Sequence, residues 1–132
     1  MSLNHIITAS YNPTIVSPGF TITGKETLYT ESNTTLRIEC NLSLNSISTI
    51  NSTAWTITLP PGYQMPAVPP NVTGSFFLRN KTGGVQGTFL LSDIIVSSPT
   101  VINIIATSDF TIGTGNIYHG HISLLIAEFV KS

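Results

Sequence analysis

Charge is what this chain has least of: only 8% of its 132 residues are Asp, Glu, Lys or Arg, six acidic against five basic. A formal net charge of −1 creates no field that would gather nucleic-acid phosphates or hold the chain on an anionic membrane, so neither partner is expected. Weak self-repulsion also favours burying apolar faces against copies of the same chain, which makes a homo-oligomer the expected state. The single cysteine, Cys40, excludes an intramolecular disulfide framework and a cysteine-based zinc cluster. No apolar run reaches the roughly 18 residues of a membrane span, so membrane insertion is not expected. The opening MSLNHIITAS lacks the basic stretch and apolar core of an export signal. A sustained 3.6-residue apolar period is missing too, and no helix is expected.

What is present is apolar and hydroxyl-rich. Hydrophobic residues make up 41% of the chain, and Ser, Thr and Asn together about a third, in place of a charged surface. Thr35–Leu44 puts Leu36, Ile38, Cys40, Leu42 and Leu44 on one face and Arg37, Glu39, Asn41 and Ser43 on the other, the alternation of a half-buried strand. Trp55, Ile57 and Leu59 repeat it. Further strands are expected at His5–Ala9, Phe20–Thr23, Glu26–Thr30, Gly74–Arg79, Gly87–Leu91, Ile94–Ser97, Thr100–Thr107 and Ile117–Val130, between clusters such as SPG, NKTGG, SSPT and GTGN. Many short strands in a chain of one-domain length predict an all-β, antiparallel β-sandwich or jelly roll. Residues 19–132 form the expected head domain, and the less patterned residues 1–18 a leading arm or a connection to a preceding segment.

The final segment, IYHGHISLLIAEFV, is apolar in both phases: Ile122, Leu124 and Ile126 in one, Leu125, Ala127 and Phe129 in the other. A strand without alternation is buried on both sides, so this one is expected to be central, with its second face against a partner subunit. VINIIA (Val101–Ala106) argues the same way.

Catalytic machinery is not recognisable. No nucleophile elbow, HExxH, phosphate loop or metal-spaced carboxylate set occurs, so no enzyme, catalytic residue or cofactor is expected. Cys40, phased among Leu36, Ile38 and Leu42, reads as an inert core thiol rather than a nucleophile partnered by His119 or His121. Those two histidines share a side of their strand and read as hydrogen-bonded residues flanking Gly120; the rival is a divalent-metal site where three chains bring six imidazoles to a threefold axis. Five sequons, at Asn33, Asn41, Asn51, Asn71 and Asn80, fall within what so Asn- and Thr-rich a composition produces by chance. Tyr63, Arg79, Lys81 and Tyr118, in or beside expected loops, are the candidate receptor-binding residues.

The stretch ITLPPGYQMP, Ile57 to Pro66, resembles the LP-x-G-[YF]-x-P segment of viral fibre heads and the C-terminal receptor-binding domains of bacteriophage tail fibres, with Gln64 and Met65 ahead of Pro66 and a further pair, Pro69–Pro70, behind. The resemblance runs from about Thr35 to Val130. It implies a trimeric β-sandwich or jelly-roll head on the virion surface, at a fibre or tail tip, binding a host-surface glycan or protein. The alternatives are a capsid or decoration jelly roll that touches only virion components, and an extracellular trimeric head of the tumour-necrosis-factor or complement C1q type.

Overall fold

The computed structural model describes residues 6–68, 71–81 and 88–131. The chain runs β1 (Ile6–Ser10), β2 (Ile15–Val16), β3 (Phe20–Ser32), β4 (Thr35–Ser46), β5 (Ile50–Thr58), β6 (Tyr63–Gln64), β7 (Val72–Asn80), β8 (Thr88–Ser98), β9 (Val101–Ile112), β10 (Ile117–Ile126) and β11 (Val130–Lys131), with no helix among the described residues. Nine strands form one antiparallel sheet in the order β1-β3-β4-β10-β7-β8-β9-β5-β2, and β11 pairs with β6 as a separate ribbon. The all-β antiparallel expectation is therefore met.

The sheet curls until its inner face packs on itself, as in a sandwich. Phe20 of β3 meets Trp55 of β5 at 5.6 Å, Phe89 of β8 at 6.0 Å and Tyr118 of β10 at 5.3 Å between ring centroids, each edge-on. That geometry suits the ring quadrupoles, and contacts between strands far apart in the sheet hold the curl closed. The uninterrupted alternation of β4 supplies one wall, with Leu36, Ile38, Cys40, Leu42 and Leu44 buried. Ile102, Ile104 and Ala106 of β9 and Trp55 and Ile57 of β5 supply the opposite one.

Two pairs of expected strands are single strands in the structure. Phe20–Thr23 and Glu26–Thr30 belong to β3, whose register against β4 shifts between Ile22 and Gly24. Even-numbered Phe20 and Ile22 face inward before the shift, and odd-numbered Thr27, Tyr29 and Glu31 after it. In β8 a shift between Leu91 and Asp93 likewise moves the inward set from Phe89 and Leu91 to Ile94 and Val96. A bulge reverses the phase of an alternating pattern, so one strand reads as two.

Within residues 1–18, β1 and β2 are built into the sheet. β1 pairs with β3 and β2 with β5, so one short segment occupies both edges of the nine-stranded sheet. Between the two strands, the Tyr11 hydroxyl donates to the Thr58 carbonyl at 2.9 Å and the Thr14 amide to Thr58 Oγ1 at 2.9 Å. β1 and β2 thereby become the edge strands, and at five and two residues they keep the unpaired rims short. His5, Pro69, Pro70 and Gly87, touched by the expectations above, lie outside the described residues.

β10 is central, between β4 and β7. Its outer face, however, carries His119, His121, Ser123 and Leu125, all half-buried. The strand ends at Ile126, and Phe129 packs instead against the Tyr63 ring at 5.3 Å. The second apolar phase of the final segment thus comes largely from residues beyond the strand. Exposed apolar side chains occur on both halves of the sheet, among them Leu28 (β3) on one and Val16 (β2), Leu90 and Ile95 (both β8) on the other.

The proline-rich turn has a simple geometry. The Tyr63 amide donates to the Pro60 carbonyl at 3.1 Å and Gly62 has φ 86°, as the third residue of a type II turn requires, with Pro61 before it presetting φ. The turn swings Tyr63 inward.

Candidate functional site

Tyr63 and Tyr118, expected as receptor-binding residues, are both buried. Tyr63 packs edge-on to Tyr29 at 5.2 Å, and its hydroxyl donates to Glu31 Oε1 at 2.5 Å. Glu31 is itself buried and paired with Lys131 Nζ at 2.9 Å. Burial, then the hydrogen bond to Glu31, holds the Tyr63 phenol well above the ordinary range. Its site is a clasp that fixes β11 and the turn to β3. Tyr118 projects into the aromatic core because β10 places it in the inward phase with Ile122. Of the four candidates, Arg79 and Lys81 remain exposed, close together at the end of β7.

The Tyr118 hydroxyl finds no hydrogen-bond partner among the described residues, and burial pushes its pKa up to about 12. A buried hydroxyl left unsatisfied costs about 1–3 kcal/mol, so Tyr118→Phe is expected to stabilise the fold by about 1 kcal/mol in urea unfolding. The sign with pH follows from linkage. The folded chain keeps this proton past the ordinary 10.0, so the associated stability is intact below pH 10 and lost as pH rises through about 12. The Phe variant should therefore gain most in alkaline solution; an unchanged or lowered midpoint there refutes the assignment.

Cys40 is buried and accepts a hydrogen bond from Thr27 Oγ1 at 3.1 Å; burial raises its thiol pKa, against smaller lowering effects of that bond and of Lys25. It is a core thiol. His119 and His121 flank Gly120 on the outer face, as their spacing required. Among the described residues no group of three or more His, Cys, Asp or Glu is placed to share a metal ion.

The outer face of β4 and β10 carries an arrangement that no local motif announced. His121 Nδ1 donates to Asn41 Oδ1 at 2.8 Å, and its Nε2 lies 3.1 Å from Glu39 Oε2, an ion pair whenever the imidazole is protonated. Ser123 Oγ donates to Glu39 Oε1 at 2.9 Å, and Arg37 Nη1 lies 3.7 Å from the same oxygen. The register makes this possible by setting His121 opposite Asn41 and Ser123 opposite Glu39. Every member lies in the outward phase. The serine donates to the carboxylate rather than to the imidazole, so Ser123 and His121 do not form a serine–histidine pair. The cluster orients polar groups.

Beside it lies a groove of about 610 Å³, formed where β1 leaves β3. β1 pairs with β3 only from Leu28 to Ser32, and the Tyr11 amide adds one bond to the Thr27 carbonyl at 3.2 Å. The groove is lined by Tyr11, Asn12, Glu26, Leu28, Glu39 and Asn41, among others. A second hollow of about 390 Å³ shares Lys25, Glu26 and Asn41 with it and reaches His119. Lys25 is tied down, its Nζ donating to the Pro13 carbonyl at 2.5 Å. Of the sequon asparagines, Asn33, Asn51 and Asn71 are exposed, Asn80 is half-buried and Asn41 is engaged by His121. The chain matches no family model, no curated protein and no solved structure among known proteins.

Proposed function

We propose that the chain is a non-enzymatic head domain of a viral fibre or tail fibre, which attaches the virion to a host-surface glycan or protein and works as a homotrimer. The observation that carries the reading is the groove on the outer face of β3 and β4, built on an all-β scaffold and lined by amide, carboxylate, aromatic and aliphatic side chains. Such groups suit hydroxyl-rich and peptide surfaces, and trivalent display compensates for weak single contacts. The LPPGY turn adds the resemblance. Val16, Leu90 and Ile95, exposed on the other half of the sheet, supply apolar surface for contacts between copies.

Light scattering at micromolar concentration should give three times the 14.2 kDa chain mass; a stable monomer ends the trimer claim. A glycan array and cell-surface binding test attachment, and silence on both favours the structural capsid or decoration role.

A further inference from the structure

We infer that the groove at the end of β1 is a saccharide site selective for a neutral pyranose, in which Glu26 and Asn41 together take two adjacent sugar hydroxyls. The inference rests on the attachment reading and adds a location and a ligand class.

Glu26 of β3 and Asn41 of β4 are direct cross-strand partners. Paired strands lie about 4.8 Å apart, so the two side chains leave one outward surface as neighbours, and both line both hollows. Their hydrogen-bonding capacity is complementary and unspent. The Glu26 carboxylate has no partner among the described residues, and the Asn41 amide nitrogen has none either, its oxygen being held by His121. A sugar hydroxyl both donates and accepts, so adjacent hydroxyls are matched by one carboxylate and one amide N–H₂. His121 is a positioning residue here: by engaging Asn41 Oδ1 it leaves the amide nitrogen to the ligand.

The remaining lining supplies shape and selectivity. Leu28, 51% exposed at the groove, offers an apolar surface to the C–H face of a ring. The volume falls within the roughly 300–1,000 Å³ of small-ligand pockets. Arg37 is paired with Glu39, and the Lys25 ammonium is held in place by the neutral Pro13 carbonyl. Glu39 keeps its oxygens on His121, Ser123 and Arg37. The groove thus holds two carboxylates, Glu26 and Glu39, against the single ammonium of Lys25, so an anionic sugar would meet net negative charge.

Saturation-transfer NMR of the intact chain with methyl α-mannopyranoside, methyl β-galactopyranoside and N-acetylneuraminic acid tests this. Transfer is expected to at least one neutral glycoside and not to the acid. It should fall at least tenfold in Glu26→Ala and in Asn41→Ala, with unfolding midpoints near the parent's and an exposed control, Ser97→Ala, unaffected. No transfer to either neutral glycoside, preference for the acid, or full transfer in both variants overturns the site. Array binding that survives Glu26→Ala sinks this site and leaves attachment standing elsewhere on the surface, whereas a silent array together with silent cells removes both.

Discussion

Gly74→Ala is expected to cost about 3 kcal/mol, the upper range for forcing atoms into a packed site. A Cβ built at Gly74 would fall inside the van der Waals surface of the Ser123 carbonyl oxygen and press on the backbone of Leu124. Those atoms belong to β10, against which β7 is in register from Val72 to Asn80, so relief requires the central ladder to open. Gly120→Ala makes the comparison. Its Cβ would meet a Leu78 methyl at 2.7 Å, and a side-chain end can rotate where a carbonyl cannot, so the loss should be about half as large. Urea unfolding of both variants decides the matter: a Gly74→Ala midpoint equal to the parent's, or above that of Gly120→Ala, would show the close approach to be without consequence.

The clasp at Glu31 is expected to give the second large effect. Glu31→Ala strips Tyr63 of its acceptor in a buried setting, and Tyr63→Phe removes a donor from a buried carboxylate. A hydrogen bond to a charged group contributes about 1.5–3 kcal/mol, and an orphaned partner adds to the loss. Glu31→Ala should thus cost about 3 kcal/mol, and Tyr63→Phe about 2 kcal/mol because Glu31 keeps Lys131. The double variant loses their shared bond only once, so its loss should fall short of the sum by about 2 kcal/mol. Additivity to within about 0.5 kcal/mol in urea unfolding would mean that the two groups do not act as a pair. Lys131, half exposed, should matter less, since water screens its share of the pair.

How much of this was legible depended on whether a strand kept its phase. β4 and β5 read cleanly because they hold one alternation through their core-facing stretches, as Leu36 to Leu44 and Trp55 to Leu59 show. β3 and β8 were split because a bulge in each exchanges inner and outer faces, and one extra residue leaves no compositional mark. Tyr63 was misread for a different reason. A Pro-Pro-Gly turn announces a reversal of the chain but not the side to which the next residue swings, and here Tyr29, Phe129 and Glu31 capture the ring. The outer-face cluster was beyond local reading, since His121 lies 80 positions from Asn41 and 82 from Glu39. Only the outward phase of Arg37, Glu39 and Asn41 hinted at it. The groove depends on where β1 stops pairing, which no pattern within β1 encodes.

The place of β10 has a consequence for how the molecule is assembled. β4 and β7 are not hydrogen-bonded to each other; each pairs with β10, which lies between them and is the last long strand of the chain. During synthesis, every earlier strand emerges while the middle of the sheet is still a gap. The first half can form its local hairpin of β3 and β4, and the second half its run of β7, β8 and β9, but the two halves share no continuous ladder until Ile126 is available. Closure must therefore wait on a strand more than 70 residues from one of its neighbours, such as Tyr118 from Leu44. Chain topologies dominated by such distant pairings fold in roughly milliseconds to seconds rather than microseconds. A truncation before β10 would release two half-sheets with bare facing edges, and those edges would seek each other in neighbouring chains.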